Sequence, residues 1–233
     1  MVDVLKGKAV LVLIILVLLH CMPACGDTTV IGWINKGNAL YNQSKYNESI
    51  EAYNKAIQLD PKIGAGDDKG NALDALGRYQ EAIDAYNEVL EINPEDANVW
   101  SNKGNALYDL GKYDEAIQAC NTAIRLNPNH SLAWLNKGNA LDALGRYQEA
   151  IDAYNKVLVI NPHYALAWNN KGIALGKDFG RYEESIQCFD KAIEINPQYP
   201  DAWYNKSIAL RLLGRTAESD AAFAKAKELR YKG

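Results

Sequence analysis

From residue 30 onward the apolar positions recur at i, i+4 and i+7 instead of alternating, which is the period of an amphipathic helix. Trp134, Gly138 and Leu141 fall on one face of a first helix. Gly145 breaks that pattern at a place suited to a left-handed C-terminal turn. Tyr147, Ala150, Ile151, Tyr154, Val157 and Leu158 then mark the face of a second helix. Asn161-Pro162 stops it, because proline cannot continue the hydrogen-bond ladder and pushes the preceding residue out of the α region. The same Asx-Pro stop stands at 60–61, 93–94, 127–128 and 196–197. The pattern predicts helical hairpins in series and no strands.

The hairpins repeat in sequence as well as in pattern. The word Trp-x-Asn-Lys-Gly-Asn-Ala-Leu stands at 33–40, 100–107 and 134–141, with variants starting at Gly66, Trp168 and Trp203. Lys36, Lys69, Lys103, Lys137, Lys171 and Lys206 mark the register at spacings of 33, 34, 34, 34 and 35. Residues 69–87 and 137–155 are identical over 19 positions, which points to duplication of a two-hairpin unit. One such hairpin cannot bury its apolar face alone, and a stack of three or more makes a continuous core. Gly37, Gly70, Gly104, Gly138 and Gly172, with Ser207 in the last unit, let the helices of a hairpin approach closely. The Trp and Tyr side chains are expected to fill the space between units, and truncating such a Trp to Ala to cost about 3–5 kcal/mol.

This period, with Trp, Gly four residues on, Ala at 150, an aromatic at 154 and Pro at 162, resembles the tetratricopeptide repeat family over residues 30–231. The resemblance implies an all-α, right-handed superhelical solenoid of about six antiparallel helix pairs. The units fall at approximately 30–62, 63–96, 97–130, 131–164, 165–199 and 200–231. It also implies a concave groove, lined by the first helices, that holds a peptide or a partner's helix.

Three units are irregular. The second has Gly66 where the others have Trp and is one residue short, so its first helix is expected to start late, near Asp67. Hinge and sequence drift are both open readings there. The fifth carries one extra residue in 176–180, which lengthens or bulges its turn. The sixth ends in an Ala-rich charged stretch, read as capping itself.

Residues 1–26 differ from the rest. Lys6 and Lys8 lead into eleven consecutive apolar residues, Ala9 to Leu19. That is short of the roughly 20 a spanning helix needs and fits a secretory signal peptide. Cleavage after Gly26, lipidation of Cys25 behind Ala24, and an uncleaved membrane anchor are the three states this leader allows. Each puts the repeat array outside the cytoplasm, exported or membrane-associated, with membrane contact only through the N-terminal segment. Export would make the sequons at Asn42, Asn47 and Asn129 candidates for N-glycosylation. Cys120 and Cys188 are too few and too far apart for a disulfide framework or a zinc site, and read as core residues. A formal charge of −4, a pI of about 5.5, 48% hydrophobic and 23% charged residues exclude global disorder. The same balance gives no electrostatic footprint for nucleic acid.

No catalytic constellation, cofactor motif or metal-ligand set is visible. His130 and His163 fall in inter-repeat turns and read as solvent-facing. The repeats use nearly all of the chain, so the protein reads as a non-enzymatic scaffold with a protein or peptide partner. The family resemblance places Asn38, Asn71, Asn105 and Asn139 in the groove, with Asn102 and Asn136 beside them. Asn side chains carry both donors and an acceptor, so two readings stand: a ladder gripping a peptide backbone, or bonds within the scaffold. Asp67, Asp74, Asp109, Asp142 and Asp201, against Lys177 and Arg211, make the groove acidic in its middle and mildly basic at its C-terminal end. Of the family's carboxylate clamp for acidic tails only Asn38 is present, since Ile34, Asn98 and Asn102 replace its basic residues. A neutral or basic segment therefore suits the field better. The six register lysines are expected to pack their stems and pair with acids on the neighbouring helix, an anion-binding row being the other reading. Self-association through the last helix, with Phe223 as its key, and an accessory role beside an envelope enzyme are the other functions the sequence allows.

Overall fold

The computed structural model describes residues 29–178 and 180–230, so the leader and Cys25 lie outside the described residues. Among these there are twelve helices and no strand. They are α1 Val30–Asn42, α2 Tyr46–Leu59, α3 Ala65–Ala75, α4 Tyr79–Ile92, α5 Ala97–Asp109 and α6 Tyr113–Leu126. Then follow α7 Ser131–Ala143, α8 Tyr147–Ile160, α9 Ala165–Lys177, α10 Tyr182–Ile195, α11 Pro200–Leu212 and α12 Thr216–Arg230. The chain divides into two compact units between Asp68 and Lys69, inside the irregular second repeat.

In the first unit Thr29 caps α1, its hydroxyl accepting from the Gly32 amide at 3.0 Å. The turn to α2 passes through Ser44, a non-glycine residue at φ +59°. Tyr53 is buried, and its ring lies where a side chain at position 37 would stand, so residue 37 must be glycine. The Ser49 hydroxyl donates to the Gly37 carbonyl at 2.8 Å, fixing the two helices in register. The expected late start of α3 is corrected: it begins at Ala65, whose methyl is buried and which is a strong helix former. Gly64, at φ +81°, turns the chain just before it.

The second unit carries the rest of the stack. Its core is made by the same contact repeated. A methyl at Gly138 would meet the Tyr154 ring at 2.5 Å, and Tyr154 is only 2% exposed. Cys120 takes the ring's place against Gly104 and Phe189 against Gly172. Gly145 does adopt the left-handed turn, at φ +74°. The extra residue of the fifth unit lengthens its turn: four residues, 178–181, link α9 to α10 where three link α7 to α8.

Packing assigns the two layers. Among the described residues α5 meets α7, α7 meets α9 and α9 meets α11, while no second helix of this unit touches another. The layer of first helices is therefore the tighter one, and this unit curves toward it. The groove wall is the exposed side of α5, α7, α9 and α11.

The tryptophans are half-buried, not core. Trp100, Trp134, Trp168 and Trp203 each donate their indole N–H to the carbonyl of the proline six residues earlier, at 2.9–3.1 Å. The register lysines lie over them: Lys36, Lys103, Lys137, Lys171 and Lys206 sit 4.9–5.7 Å from the centroids of Trp33, Trp100, Trp134, Trp168 and Trp203. These aromatic faces attract the ammonium groups through the ring quadrupole, and the expected second-helix acids act on the lysines as well, Glu81 on Lys69, Glu115 on Lys103, Glu149 on Lys137 and Glu184 on Lys171. Lys206 makes the expected pair as well, with Asp190 at 2.6 Å. His130 also departs from expectation. It caps α7, Nδ1 accepting from the Ala133 amide at 3.2 Å, while Nε2 meets Asn98 Oδ1 at 3.1 Å. The His163 side chain is exposed, as expected.

The last helix is covered by its own charges. Lys227 lies 4.6 Å over the Phe223 ring, and Arg230 lies over Tyr204 while pairing with Asp201 at 2.9 Å. Asp201 therefore belongs to this cover and is not a groove acid. Cys120 and Cys188 are free and buried, and burial pushes their thiols up to about 12 and about 11, so neither ionises near neutrality.

Candidate binding groove

The asparagine row resolves into a hydrogen-bond system tied to the second helices. The Tyr53 hydroxyl donates to Asn38 Oδ1 at 2.6 Å, Tyr86 to Asn71 at 2.8 Å, and Tyr154 to Asn139 at 3.0 Å. The next hairpin then donates to the same oxygens. Asn102 Nδ2 reaches Asn71 Oδ1 at 3.2 Å, and Asn170 Nδ2 reaches Asn139 Oδ1 at 3.0 Å. Asn136 Nδ2 donates to the Ser101 carbonyl at 3.3 Å. These side chains bond within the scaffold and fix one hairpin on the next.

Where the tyrosine is lost the pattern changes in two ways. In the fifth and sixth hairpins Phe189 and Phe223 stand at the tyrosine position, and Ile173 and Ile208 stand at the asparagine position. Donor and acceptor are lost together, as a buried polar pair requires, because either one alone leaves an unpaired group. The third hairpin breaks this rule, with Asn105 kept and Cys120 in place of tyrosine. Asn105 Nδ2 turns instead to two carboxylates, Asp109 Oδ2 at 3.0 Å and Asp74 Oδ2 at 3.3 Å.

The duplicated segments give an internal control on these acids. Asp74 and Asp142 occupy the same place in the two identical 19-residue stretches. Asp142 Oδ2 accepts from Lys177 Nζ at 2.7 Å. Asp74 meets the Asn105 amide and faces Asp109, an acid of like charge. Burial, and then the Asp109 charge, raise Asp74 to about 6 despite the Asn105 bond. Burial also raises Asp109. One oxygen each of Asp74 and Asp142, Oδ1, is buried without a hydrogen-bond partner. Burial raises the Tyr108 hydroxyl, and Tyr113, Asp109 and Asp142 act in the same direction.

Beyond Lys177 the wall turns apolar. Ile173, Gly176, Tyr182, Phe189, Ile208 and Leu212 line a hollow of about 240 Å³, with Lys177 on its rim. Ile208 and Leu212 are 43% and 58% exposed. The C-terminal end of the groove is thus apolar, not basic as expected. Its cations are already paired, Lys177 with Asp142 and Arg211 with Asp220 at 3.6 Å. Sequence reasoning missed this hollow, although Ile173 and Ile208 in the asparagine row and Gly176 among larger residues were its signal. The sequon residues Asn42, Asn47 and Asn129 are exposed, Asn42 and Asn129 at helix ends or turns and Asn47 in the first turn of α2.

Family profiles described as tetratricopeptide repeat match residues 30–63, 68–131, 102–165, 138–175 and 200–232, and one described as TPR repeat matches 177–214. No curated protein matches the chain. Among solved structures, MamA is 26% identical over 70% of this chain and 95% of its own, with a TM-score of 0.63. YrrB, titled a TPR protein with an unusual peptide-binding site, is 27% identical over 77% and 92%, at 0.60. A tetratricopeptide repeat protein from Parabacteroides merdae shares the fold at 21% identity over 85% and 79%, with a TM-score of 0.71. Matched from residue 30 to residue 232 by profiles of one repeat and folded as its helix pairs, the chain belongs to the tetratricopeptide repeat family.

Proposed function

We propose that the protein is a non-enzymatic scaffold that holds an extended segment of a partner protein along its first-helix wall. In this reading it is exported or membrane-tethered through residues 1–26. The observation that carries the groove reading is the Asp74–Asn105–Asp109 cluster. It joins the half-buried Asp74 to the exposed Asp109 on the inner layer, and among the described residues neither pairs with a lysine, whereas the duplicate acid Asp142 has Lys177. The peptide-binding site named for YrrB supports the same use of the fold. The apolar leader supports export, and glycosylation of Asn42, Asn47 or Asn129 would follow in a host that carries out that modification.

The asparagines contribute by holding the wall rigid, so that little ordering cost falls on the scaffold when it binds. Self-association through α12 fits less well, because Lys227 and Arg230 already cover Phe223 and Tyr204.

The test is an array of lysine-containing and glutamate-containing peptides probed with the detergent-solubilised full chain. Retention on the lysine set, lost with Asp109→Lys, is the expected result. Equal retention of both sets, unchanged in the variant, would contradict the reading.

A further inference from the structure

The hollow between α9 and α11 lies where two successive hairpins lack both members of the repeated polar pair. Ile173 replaces asparagine, Phe189 replaces tyrosine, and Gly176 stands where the equivalent positions carry Tyr108, Asp142 and Arg211. A Cβ at Gly176 would meet only the Ser185 hydroxyl, at 3.3 Å, and the apolar walls are Ile173, Phe189, Ile208 and Leu212, with Ser185 and Asn205 as polar members of the lining. A volume of about 240 Å³ admits one large apolar side chain. The rim carries Lys177, but Asp142 neutralises it at 2.7 Å. Next along the wall come Tyr108, then Asp109 and Asp74, bridged by the Asn105 amide. Apolar hollow and acidic cluster thus lie in sequence on one layer of one compact unit.

Resting on the groove reading above, we infer that the hollow is a specificity pocket for a large apolar side chain of a basic partner segment. Charge complementarity selects the occupant: the acids beyond the rim favour a segment that carries lysine or arginine. Geometry sets the spacing. Packed helices lie about 8–10 Å apart and an extended chain advances about 3.3 Å per residue. From the hollow on α9 to Asp109 on α5 is two such steps, so the cation stands about six residues from the apolar anchor. Asp109 and Asp74 would then receive from the ligand the kind of contact that Asp142 receives from Lys177.

The probes are fluorescein-labelled peptides of Ser, Gly and Thr carrying one Phe and one Lys about six residues apart. Parallel probes replace Phe by Ala or Lys by Glu, and anisotropy is read against the full chain in detergent. The expected result is about tenfold tighter binding with Phe than with Ala. Gly176→Leu removes that preference and keeps the preference for Lys over Glu. A Cβ at this position meets only the Ser185 hydroxyl, at 3.3 Å, and a melting curve matching the wild type, with Gly176→Ala alongside, checks that the variant folds. Ile208→Lys gives the same loss from the opposite wall.

Lysine preference without any Phe preference would overturn the pocket and leave the groove reading intact. Binding of no probe would overturn both. Concentration-dependent dimerisation of the full chain, abolished by Gly176→Leu, would make a second copy the occupant and likewise overturn the inference.

Discussion

The hydroxyl of Tyr154 and the amide of Asn139 show how single atoms set the repeat. Tyr154→Phe alone removes one of two donors to Asn139 Oδ1, and a cost of about 1 kcal/mol is expected. Asn139→Ile alone strands the buried hydroxyl and is expected to cost more, about 2 kcal/mol. The double variant reproduces the Ile173–Phe189 hairpin, so the two costs fall short of adding by about 1 kcal/mol in urea titrations. Additive costs would mean that the pairing is incidental. Asp74 is the second residue-scale test. Its carboxyl is raised above the ordinary 3.8 to about 6, so the folded state binds a proton that the unfolded state does not between those values. The fold therefore gains stability from this group as pH falls from above 6 toward 4. Asp74→Asn is expected to stabilise the protein by about 1 kcal/mol at pH 7, after discounting for its partial exposure, and to give no gain at pH 4. Thermal melts at the two pH values check this. The asparagine row was legible in sequence, but its bonding was not. It depends on which tyrosine of a second helix comes to face which amide, and that is a property of packing.

At the scale of elements the sequence spoke most clearly. Asx-Pro stops and left-handed glycines fixed the ends of nearly every helix, because both act through backbone geometry alone. The exceptions are instructive. Position 44 requires φ +59° but carries Ser, the one non-glycine at positive φ among the described residues. Ser44→Gly is expected to stabilise the first unit by about 0.5–1 kcal/mol, since it relieves the steric cost of the left-handed region. No gain in denaturant midpoint would show that local bonds already support Ser44. Gly66 weighs against a helix at the start of α3, while the burial of Ala65 that offsets it is invisible in one dimension. In sequence His130 is a turn residue, yet its ring caps α7 and reaches Asn98. Burial lowers its pKa below the ordinary 6.5, so the neutral cap is at full strength above that value. Stability is lost as pH falls through 6.5 toward the lower folded value, the unfolded chain taking up the proton first. His130→Asn keeps an acceptor for the cap without that titration, and its stability is expected to change less between pH 7 and pH 5.

On the scale of the whole chain, a repeated scaffold is made specific where its repetition fails. Units with tyrosine and asparagine build a rigid polar wall. Cys120 frees Asn105 to bridge two acids, and Ile173 with Gly176 opens an apolar hollow. The consensus word announced the family at once and concealed these departures, because the eye follows what recurs. Whether such a wall holds a ligand is decided most directly by photo-cross-linking. A probe with benzoylphenylalanine in place of Phe would be bound to the full chain and the attachment points mapped by mass spectrometry. Attachment to Ile173, Ile208 and Leu212 on α9 and α11 is the predicted result. Attachment to the second helices, at residues such as Gln187 and Lys191 of α10, would contradict the account.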